Sequence, residues 1–146
     1  MDRDRLLAKE DERWQELHSL FEGIPSDRFE EPTVTPEGWS PKDVMFHVGA
    51  WMADCGIQLE RMRAGTFDPG EETRETIERR NTEWFASSRT MDPNDVRAEF
   101  ASARQRMVEE FGTMPTVTRE AWEWFEESGP LHYVSHVQDL AAWLDR

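Results

Sequence analysis

Sulfur for crosslinking is nearly absent: Cys55 is the single cysteine, so no disulfide forms within the chain, and that count suits a reducing compartment. Long apolar runs are missing too, and no stretch approaches the roughly 20 residues that a bilayer-spanning helix needs. The segment Met1 to Leu7 reaches only an apolar pair, Leu6-Leu7, before charges resume, which is not the apolar core of a secretory signal, so a cytoplasmic protein is expected. Basic residues are scarce, with 17 Lys+Arg against 31 Asp+Glu and a formal net charge of −14. Phosphate binding needs a concentrated positive field, and this chain supplies the opposite, which makes nucleic acid and anionic membranes poor partners. No segment shows the period-2 alternation of a strand.

What is present is aromatic mass. The 37% hydrophobic fraction is thin, but seven Trp and eight Phe bring large buried area per residue. A length of 146 residues suits one domain, spanning 1–146, with a core that needs no staples.

Helical periodicity runs through four regions. The first, from about Asp2 to Glu22, carries the stripe Leu7, Trp14, Leu17 and Phe21, and Gly23 and Pro25 stop it. The second has the clearest start: Ser40 is placed to cap, Pro41 takes the first helical position, and Asp43 sits near the positive end of the dipole. Its stripe is Val44, Val48, Trp51, Met52, Cys55, Leu59 and Met62. A third region is split, with a polar helix from Glu71 to about Ser88 and a second one capped by Asp92, which carries Val96, Phe100, Ala103, Met107 and Phe111. The last begins near Thr118, is broken or kinked at Gly129-Pro130, and ends on a face of Tyr133, Val137, Leu140, Ala141 and Leu144. The architecture these regions imply is all-α, a four-helix bundle with a split third region.

The back of the second helix is small and apolar where a solvent face would be charged: Gly49, Ala50, Ala53 and Gly56, bordered by Phe46 and Ile57. Either another part of the chain covers this face or it forms a two-fold contact; a homodimer is the favoured expectation.

There are four histidines, and three share one kind of position. His132 and His136 are one turn apart on the last helix, at about 0° and 40° on its wheel, while Tyr133, Val137, Leu140 and Leu144 lie between about 80° and 140°. His47 flanks the core stripe of its own helix in the same way. Three imidazoles at such shoulders can converge between neighbouring helices, giving three nitrogen ligands and an open coordination position. The same positions equally suit core-edge histidines satisfied by carbonyls, and no Cys-x-x-Cys, His-Glu-x-x-His or EF-hand spacing supports a metal. His18, near Trp14 and Phe21, reads as a core-edge residue, Cys55 as a buried inert thiol, and the runs Glu10-Asp11-Glu12 and Glu109-Glu110 as solvated faces.

The segment from Gly38 through Trp39, Ser40 and Asp43 to His47 resembles the Gly-Trp-Ser-x-x-Asp-x-x-x-His opening of the second helix in DinB/YfiT-like proteins. Trp124 with His132-Tyr133-x-x-His136 resembles that family's closing element. The resemblance covers nearly the whole chain. It implies a four-helix bundle in which His47, His132 and His136 bind a divalent metal, commonly zinc or nickel. Related members include low-molecular-weight-thiol S-transferases, a thiol-dependent maleylpyruvate isomerase and a branch that opens a strained ring. The chain ends ten residues after His136, leaving no room for an added C-terminal domain, which turns the expectation away from the isomerase.

On this reading a metal-activated small thiol attacks an electrophilic small-molecule substrate, with Asp43, Asp54, Asp139 or Tyr133 orienting ligands or relaying protons. A metal-stabilised binding or stress-response module and a metal-hydroxide hydrolase are the alternatives.

Overall fold

The computed structural model describes residues 1–70 and 72–146. Among them the regular structure is entirely helical: α1 (Arg3–Glu22), α2 (Pro41–Ala64), α3 (Arg74–Ser88), α4 (Pro93–Thr113), α5 (Arg119–Ser128) and α6 (Pro130–Leu144), with one 3-10 turn at Ser26–Arg28. Helices α1, α2, α4 and α6 form the bundle, α2 against α4 and α1 against α6. The two shorter helices pack on its flank, α3 on α2 and α5 on α2 and α6. The expected start of the polar helix at Glu71 lies outside the described residues.

Local chemistry sets the ends. Ser40 Oγ accepts from the Asp43 N–H at 3.1 Å while Asp43 Oδ2 accepts from the Ser40 N–H at 2.8 Å, a reciprocal capping box behind Pro41. At the other end of α2, Gly65 takes the left-handed conformation, φ 76°, that closes a helix at little steric cost. Thr118 and Asp92 cap α5 and α4 by the same side-chain-to-backbone bond. Gly129 and Pro130 break the last region rather than bend it: α5 stops at Ser128 and α6 starts anew at Pro130. A Cβ on Gly129 would sit 2.8 Å from the Phe125 carbonyl oxygen, so the tight junction requires a glycine.

The core contains the stripe residues Leu17, Phe21, Val44, Val48, Met52, Cys55, Leu59, Met107, Phe111, Tyr133 and Leu140, each fully buried. The long connection between α1 and α2 contributes Ile24, Phe29 and Val34 to it. That connection is tied down by polar bonds. Trp143 Nε1 donates to Thr33 Oγ1 at 2.9 Å, and the nearly buried Lys42 reaches Glu30 at 2.6 Å and the Met91 carbonyl at 2.9 Å.

One charged run departs from expectation. Glu10, read as part of a solvated face, has no solvent exposure. It accepts from Arg104 Nε at 3.0 Å and from the Tyr133 hydroxyl at 2.8 Å, joining α1, α4 and α6 at one carboxylate. A buried carboxylate is tolerable only with such partners.

The small face of α2 is largely covered by the chain itself. A Cβ on Gly49 would meet Phe100 Cα at 3.4 Å and one on Gly56 would meet Arg106 Cγ at 3.5 Å, so the glycines let α4 approach closely. What stays open is a groove of about 260 Å³ between the two helices, lined by Phe46, Ala50, Ala53 and Ala103 among others.

Candidate functional site

His47 projects from the second turn of α2, and His132 and His136 from successive turns of α6. The structure brings them together: Nε2 of His132 lies 3.1 Å from Nε2 of His47 and 2.9 Å from Nε2 of His136. One ligand atom from each of the three lies within 4.8 Å of the others. Tetrahedral zinc with bonds of about 2.0–2.1 Å sets its nitrogen ligands about 3.3 Å apart, so three side chains from two helices are spaced for one ion.

The donor chemistry also fits. The Ser128 backbone, one turn earlier, favours the protonated His132 ring against the larger effect of burial, and the ring's Nε2 faces the other two rings. One lone pair cannot serve two neighbouring Nε2 atoms in the ring plane, whereas a shared cation satisfies all three at once. His47 Nδ1 and His136 Nδ1 are buried without hydrogen-bond partners. Asp139 Oδ2 stands 3.6 Å from His136 Nδ1, close enough to orient the ring electrostatically though too long for a hydrogen bond.

Burial keeps these rings neutral, as metal ligands must be. Desolvation, with the neighbouring His136, brings His47 down to about 3, and desolvation with both neighbours brings His132 down to about 2. Burial lowers His136 as well, against the opposing pull of Asp139. Folded-state values lie below the unfolded value of 6.5, so as pH falls the unfolded chain takes up protons first and stability is lost from about 6.5 downward towards 3. Each such ring costs about 1.4 kcal/mol per pH unit in that window. The urea midpoint of chelator-treated protein is therefore expected to fall steeply between pH 7 and 5, and a flat profile over that interval contradicts the buried neutral rings.

A cleft of about 590 Å³ opens beside His47 and His132, walled by Trp51, Trp124 and Ile77 and edged by Asn81, Glu72 and Glu127. Trp51 Nε1 donates to Asn81 Oδ1 at 2.9 Å and meets Trp84 edge-on with ring centroids 5.0 Å apart. Trp39, delivered by the connection before α2, packs edge-on against His47 at 4.9 Å and stacks on Phe85.

Of the four residues expected around the ligands, only Asp139 touches one. Asp43 is occupied with the capping box and with Ser88 and Arg89. Asp54 faces Gln58 and Arg80, with its carboxyl raised by burial. Tyr133 turns away to Glu10 and Met52. Cys55 is fully buried, its thiol pushed up to about 12 by desolvation, so it is no nucleophile. His18 stacks on Trp14 at 5.8 Å and pairs with Glu22, outside the cluster.

Sequence reading missed Asn81, Glu72 and Glu127 as cleft residues. Asn81 had a signal, since it lies one turn from both Ile77 and Trp84 on α3.

The family model described as the mycothiol maleylpyruvate isomerase N-terminal domain matches residues 11–143. Among solved structures, a crystal structure of an uncharacterised protein from Escherichia coli UTI89 superposes with a TM-score of 0.78 at 14% identity, covering 98% of this chain and 92% of that one. That likeness supports the helical fold alone. No curated protein matches the chain.

Proposed function

Because the chain belongs to the mycothiol maleylpyruvate isomerase N-terminal domain family, we propose that it is a metal-dependent transferase that activates a low-molecular-weight thiol, mycothiol in the first instance, for attack on an electrophilic small molecule. Its ligands to a divalent ion, zinc or nickel, are His47, His132 and His136. The observation that carries the reading is the approach of three Nε2 atoms from α2 and α6 at the head of a cleft.

When bound, such an ion acidifies a coordinated thiol or water, water to a pKa of about 7 at favourable zinc sites. The chain's own residues supply the rest. Three neutral rings leave the ion's charge undiminished, and Trp51 and Trp124 wall the cleft. The attacking sulfur is that of a co-substrate, because the protein's single thiol is buried and protonated.

The test is thiol consumption against a panel of electrophiles, with and without chelator. Turnover that needs both metal and thiol supports the proposal. Metal-dependent stability with no turnover by any thiol replaces it with a binding module, and turnover without thiol replaces it with a hydrolase.

The same proposal includes a homodimer through the groove between α2 and α4, where Phe46 and the alanines stay partly open. Light scattering at micromolar concentration is expected to give twice the mass of one chain, and a monomer removes the dimer.

A further inference from the structure

Each ligand histidine needs something to set its ring. The outer torsion of a histidine side chain is broad and roughly two-fold, so the rotamer alone does not fix where Nε2 points. Ligand rings are ordinarily held by a carboxylate, carbonyl or water at the other nitrogen. His132 meets the Ser128 backbone, and Asp139 stands beside His136 Nδ1. His47 has no such neighbour: its Nδ1 is buried and without a hydrogen-bond partner among the described residues. Yet its Nε2 points to α6, 3.1 Å from that of His132.

Outside the trio, the ring packed on His47 is Trp39, edge-on at 4.9 Å with the planes at 62°. The Trp39 backbone is pinned on both sides. Its N–H donates to Thr35 Oγ1 at 3.3 Å, and its carbonyl accepts from the Val34 N–H at 2.9 Å. The indole also stacks on Phe85 of α3, with centroids 5.6 Å apart and planes 14° from parallel. Arg89 closes the row: its guanidinium lies 4.5 Å over Phe85, Nη2 donates to the Gly38 carbonyl at 3.0 Å, and Nε stands 3.8 Å from Asp43 Oδ2. One cation thus ties the connection before α2, the capped start of α2 and the end of α3 to the same run of rings.

We propose that Trp39 is a positioning residue of the metal centre: its indole, backed by Phe85 and Arg89, holds the His47 ring with Nε2 toward α6. That is the task a hydrogen-bond acceptor performs at other ligand histidines. Trp39 carries no ligand atom and acts through His47. The inference rests on His47, His132 and His136 being ligands, and not on thiol transfer.

Zinc affinity of the full chain, read by competition with a chromophoric chelator after metal stripping, tests it. Trp39→Leu is expected to bind zinc about tenfold more weakly, the scale of losing a group that orients a ligand. It still takes up about one ion per chain at saturation, because the three nitrogens remain. Trp39→Phe restores a ring and is expected to stay within about threefold of wild type, with Phe85→Leu between the two Trp39 variants. Trp122→Leu is the stability control. It removes another half-buried indole, one that meets Phe111 at 6.3 Å outside the row, and is expected to lower the urea midpoint with zinc affinity unchanged.

Zinc affinity in Trp39→Leu within about twofold of wild type overturns the proposal. So does a Phe variant as weak as the Leu one, or an equal loss in Trp122→Leu. A wild-type chain that takes up no zinc removes the ligand assignment and this inference with it. Wild-type binding that Trp39→Leu leaves unchanged removes this inference alone.

Discussion

An Arg104→Ala variant is expected to lose about 3–5 kcal/mol of stability in urea denaturation, the cost of breaking a buried ion pair from one side. Glu10, with no exposure, is left among Leu6, Trp14 and the α6 helix with only the Tyr133 hydroxyl as partner. Its carboxylate then stands in a desolvated place without its charged partner, a state that lies above the paired one. Arg104→Lys recovers little, because a point charge cannot reproduce the paired N–H bonds to the two carboxylate oxygens. Combining Glu10→Leu with Arg104→Met is expected to recover most of the loss, since both buried charges disappear together. A single variant within about 0.5 kcal/mol of wild type would show that the pair is not structural.

The second large effect concerns the metal. His132→Ala is expected to reduce the divalent metal of freshly purified protein from about one ion per chain to trace amounts, because three nitrogens are the minimum set of a site with an open position. His132 is the sharpest choice, since its Nε2 is the atom close to both other rings. Asp139→Asn is the graded control. It keeps all three ligands, removes the charge beside His136 Nδ1, and is expected to weaken affinity about tenfold. Elemental analysis of the variants decides: wild-type-like metal in His132→Ala would count against the ligand assignment outright.

How much of this was legible beforehand follows from what each signal encodes. Helix ends carried by a side chain bonding its own backbone were readable, as at Ser40, Asp92 and Thr118, because the partners lie within three residues. The histidine trio was readable in part. Spacing placed each ring at the shoulder of a core stripe, but whether α2 and α6 face each other there is a tertiary fact, and the family's motif rather than the periodicity supplied it.

Glu10 departs from the solvated face expected of its run because charge alone does not report exposure. Its position carries a signal all the same, since Leu6, Glu10, Trp14, Leu17 and Phe21 form one continuous stripe. Its partners are 94 and 123 residues away, beyond any local rule. The cleft was less legible still. Glu72 sits in a connection and Glu127 on the flank of α5, and only packing makes them two edges of one opening.

The connection from Gly65 to Thr73 supplies Pro69 and Glu72 to that opening and leaves the Glu10–Arg104–Tyr133 junction untouched. One edge of the cleft and the buried ion-pair junction are therefore carried by different parts of the chain. A designer, or natural drift, can lengthen or recharge that one segment to admit a new class of guest while the load on the four long rods stays as it was.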